Sequence, residues 1–108
     1  INRERVALMK RGAILVNTSR GGVVESLDVL AEALDDGQLA AVGLDVFPVE
    51  PPDTTHRLFS DPRCICAPHL VGVSEVAIER ICLTMARGML AVLAGNPPEF
   101  CVNPEILP

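Results

Sequence analysis

Ala13-Ile14-Leu15-Val16, running into Asn17-Thr18-Ser19-Arg20-Gly21-Gly22, is a short apolar run that ends in a polar, glycine-bearing turn. The run shows no alternation and is bounded by turn residues, which is the pattern of a strand buried on both faces, as in helix-covered parallel sheets. Upstream, Asn2 is placed to cap a helix from Arg3 to Lys10, with Gly12 at its end for the left-handed conformation. Downstream, Glu25 or Ser26 opens a second helix with Leu27, Leu30, Ala33 and Leu34 on one face, closed by Gly37. Ala40 to Val46 reads as a second buried strand. Phe47 to Pro62 contains Pro48, Pro51, Pro52 and Pro62, which forbid regular pairing and make it a long loop, of the kind that covers a site. Cys64 to Ala67 gives a third strand, ended by Pro68, and Ser74 to Ala94 a long helix stopped by Gly95, Pro97 and Pro98.

This succession is the grammar of an α/β fold with a parallel sheet. Three strands make a poor sheet by themselves, so the chain reads as part of a larger one. The last helix agrees. Ile78, Ile81, Met85, Met89 and Val92 form the expected core stripe, while Val76, Leu83 and Leu90 recur on a separate face. Either that second face meets another partner or the tail from Phe100 to Leu107 covers it.

Composition limits the rest. The 108 residues carry nine Lys or Arg against fourteen Asp or Glu, a net charge of −5, with 49% apolar positions, which fits one globular domain and excludes a disordered chain. The acidic balance removes the basic stripe that nucleic-acid binding needs. No apolar run approaches the ~18 residues of a membrane span, and no signal peptide is visible, so a soluble, cytoplasmic protein without membrane association is expected. Cys64, Cys66, Cys82 and Cys101 fit no zinc spacing and sit among apolar residues, so free buried thiols and no metal site are expected. Without Trp or Tyr there is no aromatic cage.

In an open parallel sheet, ligands gather outside the carboxyl ends of the strands. Asn17 to Gly22 follows the first strand, Asp45 and then Glu50 the second, and His69 the third, so topology brings an arginine, Arg20, a carboxylate and an imidazole to one rim. Histidine exchanges a proton near neutrality. A carboxylate such as Glu50 fixes its tautomer and favours its charged form. Arginine offers a planar fork that matches a substrate carboxylate. Such a set could hold an acid beside a carbonyl or hydroxyl and move one proton; a hydride donor is still required. Asp45 either ends a strand or accepts a hydrogen bond from an amide such as that of nicotinamide. Gly21-Gly22 allows close approach to backbone, and His56, beside Asp53 and Arg57, reads as a surface residue.

Met9 to Glu25 resembles the arginine motif of the D-isomer-specific 2-hydroxyacid dehydrogenases almost position for position. Gly43-Leu44-Asp45-Val46-Phe47, continuing to Glu50-Pro51-Pro52, resembles their glutamate motif, and Ala67-Pro68-His69 their histidine motif. The similarity covers essentially the whole chain. It implies part of a Rossmann-like doubly wound parallel sheet followed by a long C-terminal helix. Residues 1–72 would be the C-terminal half of a dinucleotide-binding domain, 73–95 a helix linking to a substrate domain, and 96–108 a tail. It implies Arg20 as the substrate-orienting residue, His69 as proton donor and acceptor, and Glu50 as its partner. Thr18, Ser19, Arg20, Asp45, His69 and Gly72 would lie against the nicotinamide end of NAD or NADP. The implied partner is a small 2-oxo or 2-hydroxy carboxylic acid, and the full-length parent would be a homodimer, the piece alone being inactive. Two departures stand out. Leu70-Val71-Gly72 places the glycine one position away from the family pattern, and no Gly-x-Gly-x-x-Gly occurs. A second reading on the same fold is a nucleotide-sensing interaction module of the corepressor type.

Overall fold

A computed structural model describes residues 1–106. The chain forms two compact units, one of residues Ile1–Val71 and a second beginning at Gly72. In the first, helix α1 (Arg3–Ala7), strand β1 (Ala13–Asn17), helix α2 (Leu27–Asp35), strand β2 (Leu39–Leu44) and strand β3 (Cys64–Cys66) follow one another. The strands form one sheet in the order β1-β2-β3, and both pairings are parallel. Leu15 stands beside Val42 and Asn17 beside Leu44, so β1 and β2 end together. Leu44 in turn pairs with Cys66, which brings the third carboxyl end to the same rim.

The elements start where their caps stand. The Asn2 side chain accepts from the Arg5 amide at 3.0 Å, and Ser26 Oγ accepts from the Val29 amide. Gly12 (φ 75°) and Gly37 (φ 73°) take the left-handed turns out of α1 and α2, where a side chain would be strained. Helix α1 stops at Ala7, short of Lys10. Its Val6 carbonyl accepts from the Met9 amide and from Gln38 Nε2, which turns the chain before another helical bond can form.

Helix α2 buries more than the expected stripe: Val29 and Ala31 join Leu30, Ala33 and Leu34, because α2 is held between the sheet, α1 and a 3-10 turn at Arg57–Ser60. Leu39, Val42 and Leu44 of β2 and Leu58 of that turn complete the core. Within residues 1–71 the opposite face of the sheet is open. Ile14 and Val16 are two-thirds exposed and Ile65 about three-quarters, so the expectation of strands buried on both faces is corrected. Within residues 1–71, α1 and α2 join the core on one side, and Leu15 and Asn17 point to it while their neighbours do not.

The thiols are free, as expected, but not buried: Cys66 and Cys82 are exposed, and Cys64 and Cys101 only half-buried. Cys66 lies on the short last strand of the sheet, with no further strand beside it among the described residues.

The second unit is built on helix α3 (Glu75–Leu93), capped by Ser74 Oγ, which accepts from the Ala77 amide at 3.1 Å. No residue of α3 is buried, so Ile78, Ile81, Met85, Met89 and Val92 do not form a core stripe here. Among the described residues of its unit, α3 has no second α-helix to bury them against. Val76, Leu83 and Leu90 are open as well. The tail turns back beside Gly88, where Pro98 comes close, while Phe100 and Val102 stay exposed. Leu107, the far end of the tail considered as a cover, lies outside the described residues. Among the described residues no helix is long and apolar enough to cross a membrane.

Candidate active site

Three carboxyl ends supply the site. After β1, Asn17 is buried and organises the turn: its Oδ1 accepts from the Ser19 amide (3.1 Å) and Ser19 Oγ (2.9 Å), and its Nδ2 donates to the Arg20 carbonyl (2.9 Å). Thr18, Ser19 and Arg20 are thereby held on the exposed rim. Arg20 Nη1 donates to the Ser19 carbonyl at 2.7 Å, leaving most of its fork free of protein partners among the described residues.

Gly21 closes this turn against the loop that follows β2. A Cβ built there would overlap the Phe47 carbonyl and crowd Pro48 N, whereas Gly22 has nothing within 4 Å. The chain's own backbone, and not a ligand, is what the missing side chain admits. Phe47 packs on Phe59 with ring centroids 5.5 Å apart, fixing the start of the Pro-rich loop. Three residues on, Glu50 Oε1 accepts from the Phe47 amide at 3.0 Å, and Glu50 Oε2 meets His69 Nδ1 at 3.0 Å.

Those bonds explain the charge state of Glu50. The His69 contact first, then the Phe47 amide, and more weakly the Arg20 guanidinium hold its carboxyl below the usual carboxylate range. The structure therefore joins Glu50 to His69 directly and places Arg20 near enough for its charge to act on Glu50. With Nδ1 occupied, His69 Nε2 has no partner among the described residues, and the ring lines a cavity of about 400 Å³ with Glu50, Phe47, Pro52, Phe59 and Cys66.

His69 is the one non-glycine residue with positive φ (57°) among the described residues. That conformation costs energy for a side chain with a Cβ. Asp45, buried at the end of β2, offsets it: Oδ1 accepts from the Leu70 amide (2.7 Å) and Oδ2 from the Val71 amide (3.0 Å). Both Asp45 oxygens are thus engaged by the histidine loop, and a nicotinamide amide would have to use their remaining lone pairs. Gly72 belongs to the second unit and is open, with nothing within 4 Å of a built Cβ.

Three site-shaping residues escape a reading by sequence alone. Asn17 and Gly21 act through contacts with backbone, one of them far along the chain, and only Asn17's place directly before the polar turn hinted at it. His56 is no plain surface residue. Its Nδ1 accepts from the Leu58 amide, capping the 3-10 turn, and its Nε2 pairs with Asp28 at 3.1 Å, because the loop folds back over the start of α2.

The hydroxyls of Thr18 and Ser19 and the Arg20 guanidinium are exposed on the rim after β1, and no polar side-chain atom is left buried without a partner among the described residues. Among the same residues no group of three or more His, Cys, Asp or Glu side chains could hold a metal ion. The glycine sequence that would cradle a pyrophosphate is not in this chain.

Residues 1–71 match the family model of the D-isomer specific 2-hydroxyacid dehydrogenase, NAD binding domain. The chain is 40% identical over 107 residues to a glyoxylate reductase of Thermofilum pendens, covering 99% of this chain and 31% of that protein. A crystal structure of a protein from Thermus thermophilus superposes with a TM-score of 0.84 at 42% identity, over 94% of this chain and 32% of that one. A D-isomer specific 2-hydroxyacid dehydrogenase of Xanthobacter autotrophicus, solved with NADPH and MES, superposes with a TM-score of 0.81 at 32% identity, over 96% of this chain and 42% of that one. The three parallel strands and long last helix are accordingly a Rossmann-like arrangement, and the chain spans about a third of the length of the first two proteins (31% and 32%).

Proposed function

Because the chain belongs to the D-isomer-specific 2-hydroxyacid dehydrogenases, through their NAD-binding domain, we propose that it carries the proton-transfer and substrate-orienting residues of a reductase that interconverts a small 2-oxo acid and its D-2-hydroxy acid. In this reading residues 1–72 are the C-terminal half of the dinucleotide-binding domain, 73–95 the helix toward a substrate domain and 96–108 a tail, the working protein being longer and dimeric. Glyoxylate and hydroxypyruvate are the first substrates to try, since relatives bear those names.

The observation that carries the reading is the 3.0 Å Glu50–His69 contact at the rim that also holds Arg20. Arg20 offers two parallel N–H donors to the substrate carboxylate and so orients the adjacent carbonyl. Glu50 fixes the ring through Nδ1, which leaves Nε2–H to give its proton to the carbonyl oxygen as that oxygen gains charge. In the reverse direction Nε2 takes the hydroxyl proton. NAD or NADP, when bound near Thr18 to Arg20, supplies or receives the hydride. Asp45 acts by holding the loop that aims His69.

The test is turnover of glyoxylate and hydroxypyruvate by the full-length parent. His69→Ala should lower kcat by roughly 10² to 10⁴ while NADH binding is retained. Undiminished turnover would remove His69 from the reaction.

A further inference from the structure

Cys64 and Cys66 stand two positions apart on β3, so their side chains leave the same face of the strand. Their Sγ atoms are 3.6 Å apart. Cys66 is exposed and lines the same cavity as Glu50 and His69. We propose that this pair is a two-thiol binding site for a trivalent, three-coordinate thiophilic centre of the organoarsenical class, and that filling it obstructs the cavity beside His69. The second part rests on the proposed reductase reading; the first does not.

The geometry selects among thiol chemistries. A disulfide needs sulfurs ~2.0 Å apart on Cα atoms no farther than about 6.8 Å. Two residues along an extended strand already span ~6.7 Å, so direct closure is at the limit of that range. One bridging atom suits the pair better. With bonds of about 2.3 Å to each sulfur, the observed 3.6 Å separation corresponds to an angle near 100° at that atom. A linear two-coordinate ion would need the sulfurs about 4.6 Å apart on the same bond length. A structural tetrahedral ion would need further protein ligands, and no group of three or more exists among the described residues. A pyramidal centre that brings its own third substituent needs only two thiols.

The reaction balances without an oxidant. An arsenoxide, R–As=O, condenses with both thiols: two As–S bonds form, two S–H bonds break, and the oxygen leaves as water with both protons, the arsenic remaining trivalent. Burial, and then the contact with Cys66, push the Cys64 thiol up to about 12, so it stays protonated at neutral pH and is a poor target for reagents that attack single thiolates. Discrimination therefore comes from bridging the two sulfurs.

Phenylarsine oxide is the probe, added to the full-length parent, with intact mass, free-thiol count and turnover as readouts. One phenylarsenic group should add, and two of the four thiols of this stretch should disappear. A dithiol should reverse the adduct where excess monothiol does not. Cys66→Ser, at an exposed position, and Cys64→Ala should each weaken binding by about a hundredfold or more, since the second bond is then intermolecular. Cys82→Ser and Cys101→Ser should leave it unchanged, and circular dichroism of each variant shows whether it has folded. Adducts that persist in Cys66→Ser, reverse equally with monothiol, or map to Cys82 or Cys101 overturn the site. Undiminished turnover with the adduct in place overturns the obstruction, whereas a parent that turns over no 2-oxo acid still reports the site by mass and thiol count.

Discussion

A Cβ at Gly21 would run into the carbonyl of Phe47, and since a Cβ is fixed by its own backbone and the carbonyl is main chain, neither can swing aside. Gly21→Ala should therefore cost about 3 kcal/mol by forcing the two strand ends apart. Gly22→Ala, into open space, should stay within about 0.5 kcal/mol. Urea denaturation of both variants separates the cases, and equal midpoints would show that the turn yields freely. At the same scale, the chemistry of Arg20, Glu50 and His69 was legible because each side chain has a distinct acid–base character and each follows a strand. The supports were not: Gly21 meets a backbone 26 positions later, a distance that follows from Phe47 in the sequence but a contact that no local pattern encodes. Asp45 shows the intermediate case. Its place at a strand end drew notice, while its grip on the Leu70 and Val71 amides depends on the histidine loop turning back.

Among elements, Arg63 joins the end of α2 to the entry of β3, pairing with Asp61 at 2.6 Å and, more loosely, with Asp35 of α2 at 3.6 Å. Arg63 donates through Nη1 to the Leu34 carbonyl near the end of α2 at 2.6 Å, and through Nε and Nη2 to the Asp61 carboxylate. The Arg63 side chain, with help from its own amide, lowers the Asp61 pKa to about 2 from 3.8. A carboxyl whose folded value is depressed stabilises fully above its unfolded value and loses that contribution as pH falls toward the folded one. Wild type should thus be more stable than Asp61→Asn above pH 3.8, with the gap closing as pH falls toward about 2, in denaturation series at fixed ionic strength. A gap independent of pH would assign the join to shape and not charge. Element starts and stops were readable because Ser26, Ser74 and Gly37 act within a turn of themselves. Which strand faces would be covered was not readable: Ile14, Val16 and Ile65 have the composition of a buried strand, and composition does not say whether a neighbour stands opposite.

At the level of the whole molecule, the acid–base residues and the first unit's core lie together in residues 1–71, while α3 keeps its apolar residues uncovered. β1, one of the sheet's two edge strands, has unpaired amides and carbonyls along one side among the described residues, next to exposed Ile14 and Val16. A naked strand margin of that kind is a template for pairing with a sister copy. Handled alone, the 108-residue chain should scatter more light as its concentration rises, and Ile14→Lys should suppress this; a clear, monodisperse solution at high concentration would contradict it. If that margin pairs as expected, it sets a practical condition for purification, dilute handling and a solubilising fusion, before any of the chain's chemistry can be assayed.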